Sequence, residues 1–352
     1  MSKKKIAFVY SSKEGMATSF GFKFREGREE DEEPPPDLFA ECDSEETIEA
    51  ISNVLGKIYD VFPVESDAQS FEYLKRIRPD LVFNIAELLF GPNRESHIPS
   101  ICEFLNIPYT GSDPLTLGIC LDKSRTKEIL SYHHIPTPEF ITAELEKDIP
   151  EDFPLPAIVK PCFEGSSKGI YNHSVVKDRE TLIQRVRDVV TRYQQSALVE
   201  RFLMGREFTV GVLGNYPQAE ILPVVEIDHT QLPKGALPIY SYEAKWVWDR
   251  PEKPLKIFKC PARISHNLRE RIETIVLEAY RILRIRDWAR VDIRLDESGE
   301  PNILEVNPLP GILPNPEDNS CLPKAARAAG YSYSDLVLRV VDEAMARYGL
   351  AK

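Results

Sequence analysis

The chain reads as an α/β protein in three units: a small parallel α/β unit, then two units of α+β character. Three observations predict this. The 352 residues, 42% of them hydrophobic, suit two or three packed units better than one growing core. Strand-like and helix-like segments alternate from IAFVY at 6–10 to LVFNI at 81–85. Two late segments, ARVDIRLD at 289–296 and NILEVN at 302–307, carry polar residues two apart, as strands do, the second at Glu305 and Asn307.

IAFVY is the first buried strand. The MSKKK before it has the look of an export signal, but the apolar run breaks at SSKEG, too early for one. Residues 23–46 are dense in carboxylates and hold three consecutive prolines, which predicts a solvated, mobile excursion, or a lid. ETIEAISNVLGKI (46–58) follows as a helix, DVFPV (60–64) as a strand, AQSFEYLKRI (68–77) as a helix and LVFNI as a strand. The first unit spans 1–122.

The second unit, 123–208, opens with the helix DKSRTKEILSY (122–132), with Asp122 near its N-terminus. IPTPEF ends that helix. PAIVKP (156–161) is a strand, DRETLIQRVRDVVTRY (178–193) an amphipathic helix, and SALVERFL (196–203) an extended run leading into GREFTVGVLG (205–214). The third unit, 209–352, holds AEILPVVEI, the helix RERIETIVLEAYRIL (269–283), the two polar-alternating strands and a last helix over 334–347. No internal repeat is evident.

Charge narrows the function. Lys+Arg 44 against Asp+Glu 56 leaves a net charge of -12, which argues against nonspecific binding to nucleic acid or to an anionic membrane. No segment approaches the length of a membrane span. Six scattered cysteines without a CxxC pair read as free thiols of a cytoplasmic protein, and six histidines without an HxxxH arrangement give no zinc site.

Two segments carry chemistry. Residues 160–169, KPCFEGSSKG, follow a hydrophobic strand with two serines, two glycines and two lysines. Backbone N–H groups, hydroxyls and ammonium groups in one loop suit a phosphate, although GxxxxGK[ST] is absent and a plain glycine-rich hairpin has the same composition. In the late strands, Arg290 and Asp292 share one face, and Glu305 and Asn307 obey the same parity, with Ile303 before them. If SGEPN is a tight turn, Asp292, Glu305 and Asn307 offer hard oxygen ligands to magnesium beside Arg290. A wet edge hairpin alternates in the same way. The Pro-Leu-Pro-Gly after Asn307 favours the metal, since it holds the chain nearby and leaves the Gly311 N–H free.

Seven blocks then resemble, in order and spacing, the ATP-grasp ligases and within them the D-alanine–D-alanine ligase family. They are IPYTGSD (107–113), LDKSRTKEIL (121–130), IVKPCFEGSSKGI (158–170), VERFLMGREFTV (199–210), YSYEAKW (240–246), WARVDIRLDESGEPNILEVNPLPG (288–311) and SCLPKAARAAGYSYSDLV (320–337). The resemblance implies an N-terminal α/β domain, a central ATP-grasp domain and a C-terminal domain, with ATP clamped between the last two. It implies that Lys123, Lys160 and Ser167 hold phosphates, Glu200 and the Leu203 backbone face adenine, and Glu207 meets ribose. Lys245 would meet the γ-phosphate, and Asp292, Glu305 and Asn307 would hold two Mg2+ ions, or Mn2+. Arg290 and the Gly311 N–H would stabilise an oxyanion, while Ser320 and the Cys321 N–H would take the second substrate's carboxylate. The implied activity joins two amino acids through an acyl phosphate, releasing ADP and phosphate, as cell-wall peptidoglycan biosynthesis requires. A cytoplasmic homodimer is the implied assembly.

The first-substrate end departs from the family. VYSSKEG (9–15) stands where members carry a GGxSxExxVS-like loop, so Glu14 is the nearest replacement for its glutamate. NIAELLFGPNRESHIPSICE (84–103) replaces HGxxGEDGxxQ and offers Glu87, Arg94 and Glu95 as substrate contacts. Ser166 keeps its position, but Trp246 stands where tyrosine is usual and lacks the hydroxyl. A ligase acting on a different acid, or a regulator that binds nucleotide without catalysis, are the alternative readings.

Overall fold

The computed structural model of the chain describes residues 3–19, 37–249 and 254–350. β1 (Lys5–Tyr10) is the middle of a three-stranded parallel sheet, between β2 (Asp60–Glu65) and β3 (Leu81–Asn84). Its four residues Ile6–Val9 are wholly buried because helices cover both faces of a parallel sheet. The helices Glu45–Gly56, Ser70–Ile77 and His97–Leu105 surround it, the first capped by the Ser44 hydroxyl.

The second sheet is antiparallel, in the order β4 (Phe140–Ala143), β7 (Ala197–Arg201), β5 (Ala157–Pro161), β6 (Val175–Val176). Helix Arg179–Tyr193 packs on it through Leu182, Val186 and Val189, which meet Val159 and Val199 in a core of their own. Helix Lys123–Tyr132 precedes it, with the Asp122 carboxylate accepting the Ser124 and Arg125 N–H groups.

The third sheet is also antiparallel. β8 (Glu207–Leu213) is flanked by β10 (Val225–Ile227) and β12 (Trp288–Leu295); β11 (Phe258–Lys259) and β13 (Pro301–Asn307) are the edges, and β9 (Glu220–Ile221) pairs with β8. Helix His266–Ile282 covers one face of this sheet. Helices Cys321–Ala328 and Tyr333–Arg347 cover the other, and there Ile6 and Phe8 of the first unit share a core with Leu213, Trp288 and Leu336. The first and third units are therefore packed together.

The structure adds detail to two segments and changes the expectation for a third. AEILPVVEI is two short strands broken around Pro223, because proline cannot donate to a ladder. IPTPEF ends a helix but its Phe140 opens β4. The excursion 23–46 is not uniformly solvated where it is described, from residue 37 on: Ser44, Glu45 and Glu46 are exposed, but Asp37 and Glu41 are buried, because each carboxylate meets several donors from another part of the chain. Its residues 23–36 lie outside the described residues. All six cysteines are free thiols, and among the described residues no helix is long and apolar enough to cross a membrane.

Candidate active site

A cavity of about 290 Å³ opens between the three sheets. Residues 164–167 of the loop after β5 form one side, β12 and β13 another, and residues 239–246 a third. Residues 40–44 and Glu87 close the end toward the first unit.

β12 and β13 explain why polar groups face it. Asp292 pairs in register with Glu305, and Arg290 with Asn307, but Ile293 pairs with Ile303. Leu304 is thus an extra residue, a bulge of the sort that re-aims side chains beside functional sites. Strict alternation puts Ile303 on the face of Glu305; the bulge sends Ile303 into the core and turns Glu305 to the cavity. Arg290 donates to both Asp292 oxygens at 3.1 and 3.0 Å, and the Asn307 amide donates to Oδ2 at 3.3 Å. Burial, and then Glu305, push the Asp292 carboxyl up, against the pull of Arg290. Burial also acts on Glu305, but Lys123, 2.8 Å away, and Arg290 hold its carboxyl below the usual range.

Lysines come from three elements. Lys123 starts its helix, Lys160 is the last residue but one of β5, and Lys245 lies on a π-helical turn, Glu243–Trp248. Lys160 Nζ is 2.5 Å from Glu200 Oε2. Lys245 Nζ is 3.3 Å from Ser166 Oγ, and burial, then Arg290, push its ammonium below its ordinary value. The loop runs through left-handed conformations at Ser166 (φ 49°) and Ser167 (φ 62°), costly for non-glycine residues. It is held by contacts on both sides: Ser167 Oγ donates to the Tyr240 carbonyl at 2.8 Å, and Trp246 Nε1 to the Ser166 carbonyl at 3.1 Å.

The cavity brings together Glu87, Lys123, Lys160, Ser166, Ser167, Glu207, Lys245, Trp246, Arg290, Asp292, Glu305, Gly311, Ser320 and Cys321. Glu95 and Asn307 line a smaller adjoining cavity that shares Glu87 and Arg290. Burial and the neighbouring acids Glu41 and Glu95 raise the Glu87 carboxyl well above its usual range.

Four expected residues lie outside the cavity. Glu14 is exposed, because the helix over 13–19 turns it to the surface. Arg94 is spent on Glu41, donating to its two oxygens at 2.7 and 2.9 Å, and on the Phe163 carbonyl at 2.5 Å. Glu200 is sealed between the ammonium groups of Lys127 and Lys160, and the Leu203 side chain is packed inside. Glu207 does line the cavity, but it accepts from Arg294 at 2.9 Å and pairs with His229 at 3.0 Å. Burial raises its carboxyl; those two partners more than reverse this.

Some partners escaped the sequence reading. Arg294 shares the parity of Arg290 and Asp292, and Lys127 lies one helical turn beyond Lys123, so both had a local signal. Glu41 and Asp43, from the acidic excursion, had none.

Residues 129–342 match the family model described as D-ala D-ala ligase C-terminus. The chain belongs to the D-alanine–D-alanine ligase family. This family comprises ATP-dependent ligases that form carbon–nitrogen bonds. The D-alanine–D-alanine ligase of Desulforudis audaxviator is 35% identical over 295 residues, 82% of this chain and 89% of that one. An uncharacterized protein of Sinorhizobium fredii is 38% identical over 268 residues, 76% of this chain and 75% of its own. A crystal structure of D-alanine–D-alanine ligase from Bacillus anthracis superposes with a TM-score of 0.71 at 25% identity, covering 98% and 99% of the two chains. The same ligase complexed with ATP gives 0.67 at 22% identity, a likeness of fold.

Proposed function

We propose that the chain joins two amino acids, D-alanine and D-alanine or a close relative, at the expense of ATP and through an acyl phosphate. One observation carries this: a single cavity unites a serine-bearing loop, three lysines and the facing pair Asp292 and Glu305. ATP would lie between the second and third sheets, in units we divide at 122/123 and 208/209. Lys123, Lys160 and the loop at Ser166 and Ser167 would hold its phosphates, Lys245 the transferring one, and Glu207 the ribose.

The residues present fit magnesium. Asp292 and Glu305 are adjacent carboxylates with the Asn307 amide beside them. A donor set of one or two carboxylates completed by substrate phosphates is magnesium's usual arrangement. Bound there, the ion would neutralise phosphate charge and polarise the phosphoryl group under attack.

The chain's own groups supply the rest. Lys245, whose ammonium lies 3.3 Å from Ser166 Oγ, would stabilise charge on the phosphoryl oxygens as the first substrate's carboxylate attacks. Arg290 and the Gly311 N–H would hold the oxyanion formed when the second amine attacks the acyl carbon. The Cys321 N–H, at the start of helix Cys321–Ala328, and Ser320 would anchor the second carboxylate. Glu87, which lines the cavity, would take the first substrate's ammonium, the role foreseen for Glu14. Exclusion of water once the substrates fill the cavity would protect the acyl phosphate. Free thiols and the use of ATP support a cytoplasmic setting, and a symmetric homodimer would be the assembly.

Purified protein with ATP, magnesium and D-alanine should release ADP and a product of D-alanyl-D-alanine mass. A second reading, another acid as first substrate, is favoured by the surface position of Glu14. ADP release only with another acid would establish that second reading, and ATP binding without any amino-acid-dependent ADP release would overturn both.

A further inference from the structure

The segment from Asp37 to Glu41 belongs to the first unit, yet its carboxylates are bound to the loop of the second. The Gly169 N–H donates to Asp37 Oδ2 at 2.8 Å, and the hydroxyls of Tyr171 and Tyr193 donate to the same oxygen at 2.9 and 2.8 Å. The Gly165 N–H donates to Glu41 Oε1 at 2.7 Å, and Lys168 Nζ to Oε2 at 3.0 Å. Arg94 completes the set, and Glu164 lies 2.5 Å from Lys168, so two acids and two bases neutralise one another in a buried cluster. The fit is close. A Cβ on Gly165 would stand 2.5 Å from Glu41 Oε1, so only glycine admits that carboxylate.

Asp37 and Glu41 thus grip the two ends of 165–169, and between them lie Ser166 and Ser167 in their left-handed conformations. Such a conformation persists only where the surroundings over-determine it. On the side facing the cavity the two serines meet Tyr240, Lys245 and Trp246.

We propose that Asp37 and Glu41 are positioning residues for nucleotide binding: they hold the 165–169 loop in the form that receives phosphate, so that the acidic segment of the first unit sets ATP affinity without touching ATP. Only the affinity readout rests on the ATP reading above. The grip itself is tested in nucleotide-free protein.

The experiment compares Asp37→Asn, Glu41→Gln and Tyr193→Phe in the full chain, with Glu72→Gln, an exposed surface pair with Lys75, as control. Hydrogen exchange at the 163–170 amides, without nucleotide, should accelerate about tenfold or more in the first two, since each loses charge-assisted hydrogen bonds. Tyr193→Phe, which removes one donor from a half-buried hydroxyl, should give a smaller change in the same direction and keeps the test open if Glu41→Gln fails to fold. Equilibrium binding of ATP should weaken about tenfold in Asp37→Asn while the KM for amino acids stays within about twofold. Unchanged exchange in every folded variant would overturn the grip. Faster exchange with unchanged ATP affinity would reduce the contacts to a structural role and overturn the proposal. If wild type binds no ATP, the proposed function fails and this proposal fails with it, whereas the exchange data still report on the grip.

Discussion

Asp292 on β12 and Glu305 on β13 are register partners, set side by side by the single extra residue Leu304. Glu305 also receives Lys123 at 2.8 Å, so its charge serves both the cation it faces and the ion proposed between the strands. Glu305→Gln keeps the shape and removes that charge. Turnover at limiting magnesium should fall about 100-fold or more, with only a small change in the thermal midpoint. Near-normal turnover in that variant would remove Glu305 from the metal site.

Trp246 should govern the first substrate and not the nucleotide. Its indole N–H holds the Ser166 carbonyl at 3.1 Å while the ring lies 5.3 Å from the Lys245 ammonium. Trp246→Tyr trades that N–H for a hydroxyl at a different position while Asp37 and Glu41 still hold the loop, so the ranking of first substrates should change and the KM for ATP stay within about threefold. A substrate-pair screen read by product mass and initial ADP release measures both. An unchanged ranking with a large loss of ATP affinity would place Trp246 at the nucleotide.

Glu200 should prove structural. Its two oxygens meet Lys127 and Lys160, and all three side chains are buried. Glu200→Gln leaves two ammonium groups without compensation, so urea unfolding should show a loss of about 3–5 kcal/mol. A loss under about 1 kcal/mol, within the range of an exposed pair, would contradict this account.

Asp43 gives a pH signature. Burial lifts its carboxyl to about 8, with Glu65 adding to the rise and the Ser11 N–H opposing it. The folded value lies above the unfolded one, so the stability its proton contributes is fully present below the unfolded value, about 4, and is lost as pH rises through about 8. Asp43→Asn mimics the protonated form. Its thermal midpoint should match wild type near pH 4 and exceed it at pH 9. A difference that stays constant across that range would show that Asp43 ionises normally.

Much of this molecule was legible in the chain itself. IAFVY, LVFNI and the helices expected over 178–193 and 269–283 follow from apolar period alone, since burial on one face leaves that signature whatever the partner. Parity placed Arg290 beside Asp292, and composition marked the loop at 160–169, because both signals are local. Tertiary structure decided the rest. The bulge at Leu304 arises from pairing with β12, so counting by twos could not show that Ile303 and Glu305 face opposite ways. Arg94 and Glu200 are polar residues next to a site, and only the approach of Glu41, Lys127 and Lys160 shows that their charges are already engaged. Asp37 and Glu41 read as solvated acids because carboxylates are costly to bury unless donors surround them. Their donors, at Gly165, Lys168, Gly169, Tyr171 and Tyr193, lie more than a hundred residues away in sequence, and folding alone brings them within reach.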